Sequence, residues 1–270
     1  MSILEHARPF HSDGGPVGVL FCHGFSGSPA SMRPWAEATA DAGYTVALPR
    51  LPGHGTAWQE LAVTAWHDWY DCVESEYKAL REACPQVFVA GMSMGGSLAL
   101  RLAEHHPDVA GLMLVNPAFG AVDRLAPLAG ALKYVITSTP GVAGDIAMPG
   151  ANEPAYDRTP TAGVHQLFKL WADVKSCLDL VTCPVVLFRS RIDHVVPASS
   201  SDTVLRLISS DDITEVDLPD SYHVATLDYD RYTITELSLS FLQRLSAGVS
   251  DHAAAPGRQP WREAPRNERE

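Results

Sequence analysis

The chain predicts an α/β fold with a mainly parallel central sheet flanked by helices. Three observations carry that expectation. Strand and helix signals alternate along most of the 270 residues, the pattern of a parallel sheet covered on both faces. A short apolar run, Val87-Phe88-Val89-Ala90, passes through a glycine-flanked serine directly into a helical pattern. Between Pro117 and about Lys175 the alternation stops, and a stretch rich in Pro, Gly and Ala with no recognisable strand takes over. The expected organisation is therefore a core of residues 1–117 and 176–247 interrupted by a small cap insertion at 118–175. At 270 residues the chain exceeds a typical domain, but α/β folds often run this long undivided.

Taken in order, Val17 to Phe25 reads as a buried strand running into a His-Gly turn. Ser31 to Ala42 reads as a helix, stopped by Gly43 ahead of a strand at Tyr44-Thr45-Val46-Ala47-Leu48. Trp66, Trp69, Val73, Tyr77 and Leu80 recur at steps of three and four, which predicts an amphipathic helix over 65–83 whose aromatic stripe faces the core. Gly95 to Leu102 is the helix after the serine turn, and Val109 to Val115 supplies the next strand. After the cap come strands at Pro184 to Phe188 and Ile213 to Leu218, and Leu237, Phe241, Leu242 and Leu245 mark a last helix.

Gly91-Met92-Ser93-Met94-Gly95 carries the chemistry. A serine on a sharp turn between strand and helix has a strained backbone and crowded neighbours, so the positions two before and two after must be small. The alternative is a plain glycine-rich turn. A serine hydroxyl is a poor nucleophile near neutral pH, so the reading requires a histidine as base and a carboxylate to fix that histidine's tautomer. His223 follows the strand ending at Leu218, and Asp193 lies on the loop after the strand ending at Phe188. Both therefore sit where open α/β sheets place their chemistry. His194 competes for the base role, but beside the acid it has difficulty receiving Asp193 on one ring nitrogen and Ser93 on the other. His105 and His106 end a helix before Pro107, where a cation is favoured. Asp193 has an alternative as the cap of a helix near Ser199.

Attack on a carbonyl also needs two backbone N–H donors for the oxyanion, one after the nucleophile and one on an early loop. Met94 and Phe25 are the candidates. His23 is expected to pin the Phe25 loop by hydrogen bonding, with a role as base the alternative.

These segments, together with Cys22-His23-Gly24-Phe25-Ser26-Gly27-Ser28, Leu51-Pro52-Gly53-His54-Gly55-Thr56, Ile192-Asp193-His194-Val195-Val196-Pro197 and Ser221-Tyr222-His223-Val224-Ala225-Thr226-Leu227-Asp228, resemble the α/β-hydrolase family. Within it, the closest resemblance is to the small bacterial carboxylesterases and monoacylglycerol lipases. It spans residues 16 to 245 and implies the α/β-hydrolase fold, a triad of Ser93, Asp193 and His223, and an oxyanion hole at Phe25 and Met94. It also implies serine carboxylic-ester hydrolysis without a metal or organic cofactor. In Asn152 to Pro160, Glu153 looks like the cap position where monoacylglycerol lipases place a polar contact for glycerol; a solvated surface glutamate is the alternative. The same triad could instead serve an acyltransferase, a thioesterase or a carbon–carbon bond hydrolase, or the scaffold could be a non-catalytic small-molecule binding protein.

Leu125, Leu128, Leu132, Tyr134, Val135 and Ile136 make the cap apolar, and its acids Asp123, Asp145, Glu153, Asp157 and Asp173 balance Arg124, Lys133, Arg158, Lys169 and Lys175. A neutral, apolar cap suits an acyl chain, so the expected partner is a small-molecule ester with an apolar acyl group. The alternative is that these residues dock the insertion onto the sheet. A net charge of -12 argues against nucleic acid and against an anionic membrane. In residues 251–270 four Arg offset four acids, so the acidity belongs to the body of the chain. Residues 248–270, polar and carrying Pro256, Pro260 and Pro265, are expected to be disordered. No signal-peptide pattern and no run of 18 apolar residues occurs, so a cytoplasmic location without membrane insertion is expected. Five cysteines without C-x-x-C spacing argue against a disulfide framework and a zinc site, and the lone His54 has no second ligand at metal spacing.

Overall fold

The computed structural model describes residues 3–121, 128–141 and 144–247. In chain order the strands are β1 (Phe10–Ser12), β2 (Val17–Cys22), β3 (Thr45–Leu48), β4 (Gln86–Met92), β5 (Leu112–Val115), β6 (Ser138–Pro140), β7 (Arg158–Pro160), β8 (Val185–Ser190) and β9 (Ile213–Leu218). The helices are α1 (Arg33–Asp41), α2 (Trp58–Leu61), α3 (Trp66–Ala83), α4 (Met94–His105), α5 (Ala129–Leu132), α6 (Thr161–Lys175), α7 (Ser199–Leu207) and α8 (Arg231–Ser246). Seven strands form one sheet in the order β1-β3-β2-β4-β5-β8-β9. Only the β1–β3 pairing is antiparallel among them.

Alternation along the inner strands explains why helices cover both faces. In β2, Leu20 and Cys22 join the core beneath α3 and α4, while Val19 and Phe21 join the core beneath α1 and α8. β4 divides the same way, with Val87 and Val89 on one side and Phe88 and Ala90 on the other. A strand buried on both faces must be apolar at every position, because successive side chains point to opposite faces. The aromatic stripe of α3 is core: Trp66, Trp69, Val73, Tyr77 and Leu80 are all buried.

The ends of the elements follow local chemistry. Gly43, at φ +95°, closes α1 in the left-handed region. At the start of α3, Asp68 Oδ2 accepts the Ala65 N–H at 2.7 Å, satisfying one of the orphan donors of the first turn. Residues Ser31 and Met32 do not extend α1 as the sequence suggested, because Pro29–Ser31 winds into a 3-10 turn whose start is capped by Ser28 Oγ. In α8 the expected apolar row is incomplete: Phe241 and Leu242 are buried, but Leu237 is exposed.

Segment 118–175 departs from expectation in one respect, since it contains strands. β6 and β7 pair antiparallel as a two-stranded ribbon three residues long, with Thr139 opposite Thr159. Both are three residues long and contain Pro140 or Pro160, so neither carries an apolar alternation that periodicity could detect. Leu125, Asp123 and Arg124 of this segment, and the tail at 248–270, lie outside the described residues.

Because β2, β4, β5, β8 and β9 run parallel, the loops that follow them gather along one edge of the sheet. The His-Gly turn, Ser93, Asn116, Asp193 and His223 all lie on those loops, at the edge where open α/β sheets bind ligands.

Candidate active site

The turn between β4 and α4 holds Ser93 at φ 56°, ψ -120°, a left-handed conformation that costs a non-glycine residue of order 1–3 kcal/mol. Its surroundings over-determine it. Ser93 N–H donates to Val115 O at 3.0 Å, and the Ser93 carbonyl accepts from Gly96 N, Ser97 N and Ala118 N at 3.0–3.3 Å. The flanking glycines are required sterically. A Cβ on Gly91 would overlap the Gly95 carbonyl, and one on Gly95 would overlap the Cys22 carbonyl of β2. Ser93 also occupies the position before the first turn of α4, yet its side chain makes no capping bond there, although serine at that position ordinarily caps. The hydroxyl faces the cavity instead, and the helix terminus behind it favours developing negative charge.

Asp193 and His223 meet directly: His223 Nδ1 lies 2.7 Å from Asp193 Oδ2. An ionised carboxylate only accepts, so Nδ1 carries the proton and Nε2 is left as the acceptor. Burial opposes protonation of His223, but the hydrogen bond and charge of Asp193, with Glu153 and Asp145 beyond it, outweigh burial and raise its pKa above 6.5. Burial likewise pushes the Asp193 carboxyl up, and the His223 bond together with the N–H groups of Val195 and Val196 brings it below the ordinary 3.8. Those two amides donate to Asp193 Oδ1 at 2.9 and 2.7 Å, so Asp193 caps its own loop rather than a helix near Ser199. Ser93 Oγ has no hydrogen-bond partner among the described residues. Serine–histidine bonds in unliganded sites commonly close only when substrate arrives.

His194 turns away from this pair, exposed and bonded through Nδ1 to Asp145 Oδ1 at 2.8 Å. His106 bonds Glu74 at 2.9 Å on the far side of α3. Neither shares a hydrogen bond with Ser93 or Asp193 among the described residues.

His23 holds the early loop. Its Nδ1–H donates to Gly24 O at 2.9 Å, and its Nε2 accepts the Leu51 N–H at 3.2 Å. Because the Gly24–Phe25 peptide is planar and trans, fixing the Gly24 carbonyl fixes the Phe25 N–H in the opposite direction. Burial pulls the His23 pKa down to about 4, so the ring keeps the single-proton state this pattern requires. Beside it lies His54, with ring centroids 5.1 Å apart; burial drives its pKa well below 6.5 as well. No backbone acceptor outside helix and strand ladders receives the Phe25 or Met94 N–H among the described residues.

A cavity of about 270 Å³ opens over Ser93. At the reacting end it is lined by Phe25, Ser26, Ser93, Glu153, His194 and His223, and away from it by Leu132, Ile136, Val164, Leu167, Phe168 and Trp171. The apolar wall comes largely from α6, which the sequence did not single out. Of the side chains it did nominate, Leu132 and Ile136 line the cavity, although Ile136 is itself exposed; Leu128, Tyr134 and Val135 are exposed and do not line it.

Glu153 is half-buried and lines the cavity. Its Oε2 accepts the Gly144 N–H at 3.3 Å, and its Oε1 lies 2.9 Å from where a Gly27 side chain would begin. Burial raises its pKa, opposed by the Gly144 bond and the His223 charge.

Two residues that organise the site were missed. Asn116, at φ 44° after β5, donates from Nδ2 to Ser190 Oγ and to the His223 carbonyl, each at 2.9 Å, and accepts the Ser190 N–H at 2.9 Å. Asp228, fully buried, accepts four amides: Ala147 and Tyr222 on Oδ2 at 2.7 and 2.9 Å, Met148 and Tyr229 on Oδ1 at 2.9 and 2.8 Å. The left-handed asparagine before Pro117 was the available signal for the first, and the acid closing the His223 motif for the second.

Comparison with known proteins agrees with this geometry. The profile of the alpha/beta hydrolase family matches residues 19–233. A thermostable monoacylglycerol lipase of Bacillus sp. (strain H-257) is 47% identical over 244 residues, covering 90% of this chain and 96% of that protein. A carboxylesterase of Bacillus subtilis (strain 168) is 27% identical over 239 residues, covering 88% and 97%. A solved structure reported for the metagenome-derived lipolytic enzymes LipS and LipT superposes with TM-score 0.88 at 38% identity, over 90% of this chain and all of that one. With its mainly parallel seven-stranded sheet, its serine elbow and these relatives, the chain belongs to the α/β-hydrolase family.

Proposed function

We propose that the protein is a serine carboxylic-ester hydrolase of the monoacylglycerol lipase and carboxylesterase type, working through an acyl-enzyme on Ser93. The observation that carries the reading is the 2.7 Å Asp193–His223 bond at the mouth of an apolar cavity whose floor is the strained Ser93 turn. His223 Nε2 takes the Ser93 proton as Oγ attacks the ester carbonyl, and the Phe25 and Met94 N–H groups receive the oxyanion. Collapse expels the alcohol, which takes the proton from His223. Water activated by the same nitrogen then releases the acid, and Asp193 holds the ring in one tautomer throughout. Segment 118–175 acts as a cap, its α6 side chains receiving the acyl chain, and Glu153, which lines the same cavity, accepts a hydroxyl of the leaving alcohol. The relatives named for ester and lipid hydrolysis favour water as the acyl acceptor over transfer or carbon–carbon cleavage.

No described helix is long and apolar enough to cross a membrane. We infer a cytoplasmic enzyme that meets its lipid substrate as a soluble ester rather than by insertion.

The test is turnover of p-nitrophenyl esters of increasing acyl length and of monoacylglycerols, alongside labelling by a fluorophosphonate. Labelling at Ser93 with release of free acid is the expected result. An unlabelled protein that turns over none of these esters would sink the proposal.

A further inference from the structure

Asp145 belongs to segment 118–175, yet its bonds are to the loops of the sheet edge. Its Oδ2 accepts the backbone N–H of His194 at 3.1 Å and the backbone N–H of His223 at 3.2 Å. Its Oδ1 binds His194 Nδ1 at 2.8 Å, and its carbonyl accepts the Val224 N–H at 3.1 Å. His194 is the neighbour of Asp193, so one carboxylate bridges the loop that carries the acid and the loop that carries the base.

Residues 145–148 form a strap that is laced in the opposite direction as well. Asp228, on the His223 loop, accepts the N–H groups of Ala147 and Met148. Two aspartates thus reach across the same gap from opposite sides, and residues 145–148 cannot shift without breaking bonds on both.

We propose that Asp145 is a positioning residue for His223, a carboxylate that fixes the spacing of the two loops on which the Asp193–His223 bond depends and adds a further negative charge beside that histidine. The proposal rests on the triad reading above. Three carboxylates act on His223: Asp193 from the loop after β8, and Glu153 and Asp145 from segment 118–175. Asp228 is on the histidine's own loop, with both its oxygens occupied by amides. Asp145 is therefore one of two charges that this segment supplies. Charge this close favours the imidazolium that forms as Ser93 attacks.

The experiment is the pH profile of kcat/KM for a short p-nitrophenyl ester in the full chain, comparing the parent with Asp145→Asn and Asp145→Ala. The base must be neutral to act, so the acid limb reports its pKa. Removing the charge should move that limb to lower pH by about 0.5–1 unit. Asp145→Ala, which also cuts the bridge, should reduce kcat by about tenfold to a hundredfold. A limb superimposable on the parent's in Asp145→Asn overturns the proposal, and so does a loss of kcat with the limb unmoved, which would make Asp145 a structural tie only. Circular dichroism checks folding, with Asp145→Ser as a second uncharged variant. If none of the variants folds, the strap serves the fold rather than the histidine and the proposal fails. Fluorophosphonate labelling of the parent separates the two levels: labelled Ser93 with an unmoved limb removes only the role of Asp145, whereas an unlabelled parent removes the triad reading itself.

Discussion

At the scale of single residues, the site is a set of side chains relieved of ordinary duties. Ser93 declines to cap α4, and His23 is held in its neutral form by burial. Ser93→Ala should therefore leave circular dichroism unchanged while ester hydrolysis falls on the order of 10⁴-fold or more in kcat. Activity within tenfold of the parent would exclude Ser93 as nucleophile. His223→Ala should cost a similar factor, and His194→Ala, whose ring is bonded to Asp145 rather than Asp193, should cost less than about tenfold. A reversed order would identify the wrong base. Because the His223 pKa is raised above 6.5, the neutral base disappears as pH falls through a value above that of an ordinary histidine; the acid limb of kcat/KM in the parent should lie there. These residues were legible because each is announced by its neighbours: glycines around Ser93, a strand end before Asp193 and before His223. Asp145 was not, since its value lies in a partner 78 residues away and no local pattern encodes such a meeting; Asn116 is marked as a turn residue by the Pro117 that follows it, but its partner lies 107 residues away.

At the scale of elements, the close approach of α4 to β2 sets the geometry of the elbow. Gly95→Ala puts a methyl into the Cys22 carbonyl, and neither backbone can retreat, one being a sheet strand and the other the first turn of the nucleophile helix. Overpacking of this kind costs about 1–3 kcal/mol or more. The variant should show a lowered urea midpoint, and any folded fraction should turn over ester slowly because Ser93 is displaced. A parent-like midpoint and kcat would show that the approach is looser than described. Strands β2, β4 and β8 were readable as apolar runs because burial on both faces keeps residues 17–22, 87–92 and 185–188 free of polar side chains. β6 and β7 were not, being three-residue pieces held by pairing with each other, and α6 was overlooked because the segment was read only as a Pro-, Gly- and Ala-rich cap with no recognisable strand.

At the scale of the whole molecule, the cavity lies between the sheet edge and α6, so the acyl site and the chemistry proposed above fall on different parts of the chain. Val164→Trp should fill part of the apolar end, to which Val164 contributes. Each methylene denied burial forfeits about 0.8 kcal/mol, so excluding about two of them should lower kcat/KM for an octanoyl ester by about tenfold relative to an acetyl ester. Equal losses on both esters would place the acyl chain elsewhere. The parallel sheet and its covering helices follow from the alternation of apolar runs. The position of the cavity does not, because it depends on how segment 118–175 folds back over the edge.

Fold-back of that kind has a consequence for recombination. The Asp228 carboxylate binds the amides of Ala147 and Met148 and, at the same time, those of Tyr222 and Tyr229, so a border drawn through the sequence at 118 and 175 is not a border in the bonding. A chimera that imports another hydrolase's insertion between those points would discard half of the clasp and leave each buried Asp228 oxygen with one of its two donors, a loss of about 0.5–1.5 kcal/mol for each hydrogen bond not remade, and more where the acceptor is charged. A graft that leaves 144–149 with the host, and exchanges only what lies on either side, keeps acyl preference transferable without uprooting the histidine loop.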